Sequence, residues 1–242
     1  MQPKFSEEPE KLPDFDDYAD NYELLVKDNI KASGFPPSYF DEHKIKTLAA
    51  DFLKKPFAGD EIRFLNFGCG IGKSEQFIHK YLPGARTVSV DVSKSSLDRA
   101  MERNRNVPHV TYQHFNDVTE LTYDQPFDII FAANVFHHIP NDLRLPILAH
   151  LRTLLSPNGY LYIFEHNPFN PLTKAAFDTC EFDQGCKMIP ARNMSENIRK
   201  AGFKSQTRHY IVFFPKPLSS FIPYEKYLDW LPIGAQYYIK AQ

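Results

Sequence analysis

Residues 65–74 have the sequence LNFGCGIGKS, in which three glycines connect an apolar run to a segment with helical spacing. Gly68, Gly70 and Gly72 can adopt positive φ, and the following helix would present free amides to a ligand. The spacing is G-x-G-x-G, whereas a dinucleotide fingerprint requires a glycine where Lys73 stands. A Walker loop would need a further glycine five residues before Gly72. We therefore predict a ligand-binding turn of another kind, rather than a bare strand-to-helix connection.

The segments around this turn alternate between apolar runs and helical patterns. Apolar runs occupy residues 62–67, 87–92, 110–115, 127–135 and 160–166. Helical patterns lie at about 73–82, 94–105 and 141–155. A further helix at 192–201, ending at Gly202, precedes two more candidate strands at 206–214 and 235–241. This alternation predicts an α/β fold with a mostly parallel sheet, both faces of which are covered by helices.

Composition restricts the class of protein further. The chain has 242 residues, 28 basic and 30 acidic, so its net charge is 28 − 30 = −2. That balance disfavours a nucleic-acid partner, and the 43% hydrophobic content disfavours disorder. Three cysteines cannot form a disulfide framework, and neither a secretory signal nor a membrane span is visible. We expect a cytoplasmic protein.

The chain is expected to divide near residue 56. Residues 1–55 are predicted to form a loose tail and a helical cap, and residues 56–242 to form the α/β domain. Two segments rich in Phe, Pro and Tyr, at about 167–190 and 215–232, are predicted insertions on the ligand side. The second could form an apolar pocket, a membrane-surface contact, a dimer interface or a cap over the core.

Two acidic residues follow predicted strands. Asp91 ends the second strand, 23 residues after Gly68, where a carboxylate can accept both hydroxyls of a ribose. Asp117 ends the third strand and could accept from an adenine amine, with Val92 and Val118 packing on the ring. A turn or helix cap is the alternative role for Asp117. These positions favour a nucleoside ligand.

Taken together, these motifs resemble class I S-adenosylmethionine-dependent methyltransferases. The resemblance is carried by NFGCGIG (66–72), VSVDVS (88–93), FNDVT (115–119), FDIIFAANVFHHI (127–139) and LLSPNGYLYIFEH (154–166). It implies a Rossmann-like seven-stranded sheet whose last strand is antiparallel and lies between strands five and six. It also implies that S-adenosylmethionine is the cofactor, with the glycines near its methionine and ribose parts. The expected cofactor-binding residues are Tyr18, Asn66, Gly68, Cys69, Gly70, Gly72, Asp91, Val92, Asp117, Val118 and Asn134.

The chain departs from the family pattern at one position, and it carries two tyrosines that are further candidates for contact with the cofactor. The family usually has Glu or Asp two residues before the first glycine, whereas this chain has Asn66, which removes a charge near the cofactor's ammonium. Tyr18 and Tyr22 are candidates to close over the methionine end, with ordinary helix packing as the alternative.

Histidines follow the fourth and fifth predicted strands, at the edge where an open parallel sheet binds its ligands. His137 and His138 follow strand four, and His166 follows strand five beside Glu165. All three are candidate catalytic residues, and we expect His166 to be the general base, oriented by Glu165. Packing and loop hydrogen bonding are the alternative roles. No metal site is predicted, because the ligand spacing is not that of a known site, and Cys180 and Cys186 are expected to be incidental thiols.

The predicted function is transfer of a methyl group to an oxygen or nitrogen of a small molecule. EHNPFNPLT and PIGAQYY resemble segments of uncharacterised bacterial methyltransferases suspected in cell-surface glycan or lipid assembly, so such a precursor is a candidate acceptor. A catalytically silent binding module of the same fold and a nicotinamide-dependent oxidoreductase are the alternatives. RNA methylation is disfavoured, because strand four ends in NVFH rather than an N-P-P-[FY] motif. The oligomeric state is left open.

Overall fold

A computed structural model describes residues 33–54 and 61–242 of the chain. Seven strands form a single sheet in the order β3-β2-β1-β4-β5-β7-β6. They are β1 (Ile62–Phe67), β2 (Ala85–Asp91), β3 (Val110–His114), β4 (Phe127–Ala133), β5 (Leu155–His166), β6 (Gln206–Ile211) and β7 (Gln236–Ala241). β7 pairs antiparallel with both neighbours, and the other pairs are parallel. The predicted sheet and the position of its last strand are confirmed.

Six α-helices flank the sheet in the described part of the chain. They are α1 (Pro37–Phe52), α2 (Glu75–Tyr81), α3 (Lys94–Arg103), α4 (Asn141–Thr153), α5 (Pro171–Asp178) and α6 (Ala191–Lys200). Short 3₁₀ helices follow β3 at Val118–Glu120 and β4 at Phe136–His138. Two more occupy Glu181–Asp183 and Lys216–Tyr227.

Each face of the sheet carries its own apolar core. Along β1, Phe64 packs into one core, whereas Leu65 and Phe67 belong to the other. This division follows from the alternation of side chains along a strand. Residues of α1 and α2 complete the first core, and residues of α4 and α6 complete the second. Because both faces are covered at the centre of the sheet, β1 and β4 are nearly continuous apolar runs, whereas the edge strands β3 and β6 are more polar.

The differences from the predicted elements lie in the ligand-side segments. α5 falls inside the predicted insertion at 167–190, where no helix was expected; Asn170 caps it by accepting from the amide of Thr173. The aromatic residues of 215–232 do not form a cap over the core, since Tyr224, Tyr227 and Trp230 are exposed. Of the described residues, none forms a helix long and apolar enough to cross a membrane.

Replacing Phe64 by alanine tests the core under α1. Its ring is fully buried and lies 6.1 Å from that of Phe131, so the truncation should lower the free energy of unfolding by about 3–5 kcal/mol. Phe169, which is 64% exposed, provides the control, and Phe169→Ala should change stability by less than about 0.5 kcal/mol. Urea unfolding followed by circular dichroism measures both. Equal effects of the two substitutions would contradict this packing.

Candidate active site

Two adjoining cavities open at the carboxyl ends of the parallel strands. The larger, about 590 Å³, runs along the ends of β1, β2 and β3 and the segment after β4. The smaller, about 200 Å³, lies between α1, α5 and the segments after β4, β5 and β6. A cleft outside the carboxyl ends of the strands is the expected position for a ligand in an open parallel sheet.

The glycine turn forms one wall of the larger cavity. Gly68, Gly70 and Gly72 all have positive φ, and the amides of Gly68 and Cys69 donate to the carbonyl of Val90. A side chain at Gly68 would lie within 2.5 Å of Val135, so the turn packs tightly there. At Gly70, by contrast, no atom lies within 4 Å of where a Cβ would stand. Gly70 therefore leaves open space, as a turn that accommodates a ligand requires.

Asp91 connects this turn to the end of β2. Its Oδ2 accepts from the amide of Gly70 at 2.7 Å, and its Oδ1 accepts from the amide of Ser93 at 2.9 Å. Burial raises the pKa of the Asp91 carboxyl, and the backbone amides of Ser93, Gly70 and Val92 act in the opposite direction. A carboxylate can accept about four hydrogen bonds, so Asp91 retains acceptor capacity, and it lines the cavity. The residue can therefore hold the loop and still accept hydroxyl groups.

The far end of the larger cavity suits a flat apolar ring. Val92 is exposed although it is apolar, and both Val92 and Val118 line the cavity. Asp117 also lines it, but its Oδ1 accepts from the amide and hydroxyl of Thr119 and caps a 3₁₀ helix. Both roles considered for Asp117 are thus compatible, because its second oxygen makes no bond within the described residues.

Asn66 has a carboxylate partner that sequence reasoning missed. Its Nδ2 donates to Oε1 of Glu75 at 3.0 Å, and Ser89 donates to the same oxygen at 2.7 Å. Glu75 is fully buried, and burial raises its pKa. Because the amide nitrogen is held by Glu75, the amide oxygen of Asn66 is the atom available to the cavity that Asn66 lines. A carboxyl group therefore lies behind position 66, on α2 rather than on β1.

Asn134 lies where the two cavities meet. It has φ +57°, a strained conformation for a residue with a side chain, and its amide donates to the carbonyl of Phe164. Its Oδ1 is buried and has no hydrogen-bond partner among the residues that the structure describes. An unpaired buried acceptor costs free energy, which a ligand donor would recover.

The histidines predicted after β4 and β5 do meet, but with different partners from those expected. Oε2 of Glu165 accepts from Nδ1 of His137 at 2.7 Å, and Oε1 accepts from the amide of Phe136. The expected pairing of Glu165 with His166 is wrong, because adjacent strand residues point to opposite faces of the sheet. The ring of His166 lies 5.6 Å from that of His137 and lines the smaller cavity.

Asp183 joins this cluster from the segment after α5. Its Oδ1 lies 3.3 Å from Nε2 of His137 and 3.5 Å from Nε2 of His138. Nδ1 of His138 in turn lies 3.2 Å from Sγ of Cys186. Cys186 is therefore part of the cluster rather than an incidental thiol.

The three histidines differ in charge. Burial alone would lower the pKa of His137, but the carboxylates of Glu165 and Asp183 outweigh it and raise the pKa to about 9. Burial and the neighbouring His137 lower the pKa of His138 to about 3. The same two causes lower the pKa of His166 to about 4. At neutral pH, His137 is therefore protonated, whereas His138 and His166 are neutral.

Most of the predicted site residues surround one or both cavities. Of the predicted cofactor residues, Gly72 lines neither cavity, because it packs against Ala100 and Asn104. Tyr18 and Tyr22 lie outside the described residues. Sequence reasoning missed Lys44, Glu75, Asp183 and Gln236. Their side chains reach the site from α1, α2, the segment after α5 and β7, and no motif around them signals a role. Lys44 in particular is buried and lines both cavities, and burial lowers its pKa.

Comparisons with known proteins concern the family and the fold of the chain. Residues 65–161 match a family model described as a methyltransferase domain. The chain is 30% identical over 128 residues to the malonyl-[acyl-carrier protein] O-methyltransferase of Bacillus cereus, covering 52% of this chain and 46% of that protein. It is also 30% identical over 115 residues to the trans-aconitate 2-methyltransferase of Methylobacterium nodulans, covering 48% and 42%. The chain thus spans less than half the length of these relatives.

Solved structures show the same fold. A methyltransferase from Thermotoga maritima superposes with a TM-score of 0.62 at 16% identity, covering 94% of this chain and 97% of that one. The plantazolicin methyltransferase BpumL, crystallised with SAH, gives a TM-score of 0.60 at 13% identity, covering 94% and 98%. At these identities the likeness concerns the fold alone.

Residues 65–161 match a methyltransferase domain, and the seven-stranded sheet has the fold of class I S-adenosylmethionine-dependent methyltransferases. The larger cavity fits their cofactor, S-adenosylmethionine, on three observations. Space is open at Gly70, an apolar side chain is exposed at Val92, and the buried oxygen of Asn134 lacks a partner. Asp91 would accept from the ribose, and Asn66 and Asn134 would accept from the ammonium.

Asp91→Ala should weaken binding of S-adenosylhomocysteine at least about tenfold, because each lost hydrogen bond to a charged group is worth about 1.5–3 kcal/mol. It should also lower stability, since two backbone amides lose their acceptor. Asp98→Ala, on the exposed face of α3, is the matched control. Calorimetry of folded protein measures affinity, with NAD as a ligand that should not bind. An unchanged dissociation constant for Asp91→Ala, or preferential binding of NAD, would reject the assignment.

Proposed function

We propose that this chain transfers a methyl group from S-adenosylmethionine to an oxygen or nitrogen of a small molecule held in the smaller cavity. One observation carries the proposal: the two cavities meet, and five residues line both of them. Those residues are Asp41, Lys44, Lys73, Asn134 and His138. A cofactor in one cavity would therefore lie next to an acceptor in the other.

The cofactor supplies a methyl group already activated by a positively charged sulfur. Methyl transfer from it is a single displacement, so alignment of the acceptor lowers much of the barrier. Asn134 would bind the methionine end, because the hydrogen bond from its amide to the carbonyl of Phe164 holds its backbone beside the cavity. The apolar walls of the smaller cavity would exclude water from the acceptor.

The smaller cavity combines apolar walls with a few polar groups. Its apolar walls include Phe40, Leu172, Phe177, Val212 and Phe213. Gln236 also lines it, and Oε1 of Gln236 is buried without a hydrogen-bond partner among the described residues. This lining suits a small molecule with an apolar body and a hydroxyl or amine donor, such as the glycan or lipid precursor predicted from the sequence.

The methyl acceptor can be identified by screening candidate small molecules. Two relatives are named for malonyl-[acyl-carrier protein] and trans-aconitate, so these belong in the panel beside hydroxylated glycans, lipids and amines. Methyl-labelled S-adenosylmethionine and the purified chain would report transfer directly. If the chain binds the cofactor but releases no labelled product with any acceptor class, it is a silent binding module instead.

His166→Ala should lower turnover about 10²–10⁴-fold if the acceptor is a hydroxyl, because a positioned general base contributes about that much. His166 lines the smaller cavity and not the larger one, so cofactor affinity should stay near wild type. An amine that is already neutral needs only alignment, and the loss should then be much smaller. Turnover with the identified acceptor and calorimetry with S-adenosylhomocysteine measure the two effects.

The matched control is His209→Ala, which removes a histidine that lines neither cavity and pairs with Asp229. His137→Ala and His138→Ala should be assayed in parallel, since both are candidate catalytic residues. Full turnover of the His166 variant with a hydroxyl acceptor, beside an inactive His137 or His138 variant, would move the catalytic role to the segment after β4.

We also propose that the exposed aromatic residues of 215–232 contact a lipid surface, which fits an acceptor of lipid type. Tyr227 and Trp230 are 65% and 70% exposed. Tyr227→Ser/Trp230→Ser should weaken binding to phospholipid vesicles at least about tenfold, because burying one large apolar side chain is worth about 1.5–3 kcal/mol. Phe169→Ser, at another exposed aromatic, is the control. Vesicle sedimentation measures binding, and absence of wild-type binding would contradict the proposal.

A further inference from the structure

The geometry points to a binding site for a divalent transition-metal ion, formed by His137, His138 and Asp183. One nitrogen of each histidine and one carboxylate oxygen of Asp183 converge, all within 4.8 Å of one another. No metal site was predicted from the sequence, because Asp183 lies 45 residues beyond His138 and only the fold brings it close.

The two distances that involve Asp183 suit tetrahedral coordination. Zinc binds histidine nitrogen and carboxylate oxygen at about 2.0–2.2 Å, so neighbouring ligand atoms of a tetrahedral site are about 3.3–3.5 Å apart. Oδ1 of Asp183 lies 3.3 Å from Nε2 of His137 and 3.5 Å from Nε2 of His138. Both contacts are long for a charge-assisted hydrogen bond, which is typically about 2.7–2.9 Å.

Both imidazole rings are held in the orientation that metal ligation needs. Nδ1 of His137 is bound by Oε2 of Glu165 at 2.7 Å, and Nδ1 of His138 lies 3.2 Å from Sγ of Cys186. In both rings, Nε2 is the nitrogen that faces Oδ1 of Asp183. A dication bound at Nε2 of His137 would displace the proton that this nitrogen carries toward Asp183, while Nδ1 continues to donate to Glu165.

The pairing of Glu165 with His137 supports this assignment. Metal-ligating histidines commonly donate their other ring N–H to a carboxylate, which fixes the ring and strengthens the ligand. Glu165 is itself held by the amide of Phe136 and is almost fully buried. A carboxylate–histidine–metal arrangement is therefore already assembled around His137.

Three protein ligands would leave a fourth position open. All three residues line the smaller cavity, so a water molecule or an acceptor oxygen could occupy that position. Two nitrogens and one oxygen suit zinc or a similar first-row dication rather than magnesium or calcium. A dication would lower the pKa of a bound hydroxyl, which is a role that rests on the proposed function. Metal binding itself does not depend on that function.

The test uses the full chain, freed of metal by a chelator and then titrated with Zn²⁺ or Co²⁺. We expect one equivalent of Zn²⁺ to bind by calorimetry, and we expect Co²⁺ to give the intense visible absorption of a tetrahedral site. Asp183→Asn and His138→Ala should each weaken Zn²⁺ binding at least about 100-fold, because outer-shell losses alone typically cost 10–100-fold. Circular dichroism establishes that each variant is folded.

Glu181→Gln is the matched control for Asp183, since Glu181 is exposed two residues away, and His209→Ala is the control for His138. Both should bind Zn²⁺ like the wild type. Absence of stoichiometric binding to the wild type, or equal affinity in the Asp183 variant and its control, would overturn the proposal and leave a hydrogen-bonded cluster. Because no methyl transfer is measured, these outcomes are independent of whether the proposed function holds.

Discussion

The site depends on a constraint of the parallel sheet, which brings the carboxyl ends of its parallel strands to one edge. Each of β1, β2, β4 and β5 ends at this edge, and the segment after each contributes a group to a cavity. Residues distant in the chain therefore become neighbours without any local signal. The antiparallel strand β7 adds Gln236 to the same edge from its amino end.

Buried carboxylates shape this edge. A carboxylate removed from water must find donors, and here the donors belong to the segments that line the cavities. Asp91 binds the amides of Gly70 and Ser93, and Glu165 binds the amide of Phe136 and His137. Glu75 binds Asn66 and Ser89 in the same way. The need to pair each buried carboxyl group thus positions the glycine turn, the histidine segment and Asn66.

Much of the fold was predictable because its signals are local. The boundaries of β1 agree with the apolar run at 62–67, and the pattern of buried residues in α1 follows Ile45, Leu48 and Phe52. The candidate site was predictable where a motif marks it, as at the glycines and Asp91. Lys44, Glu75 and Asp183 were not predictable, since their neighbours in sequence resemble those of any surface helix or loop.

By itself, the sequence determined the order of strands and helices along the chain and the position of the glycine turn. Those features depend on side-chain periodicity and on glycine, which act over a few residues. Only the tertiary structure decided that Glu165 pairs with His137 and not with His166, and that Asp183 faces both His137 and His138. Such pairings depend on which faces of the strands and which loop segments meet in space. Neighbouring residues in the sequence carry no signal of those meetings, because the partners lie far apart along the chain.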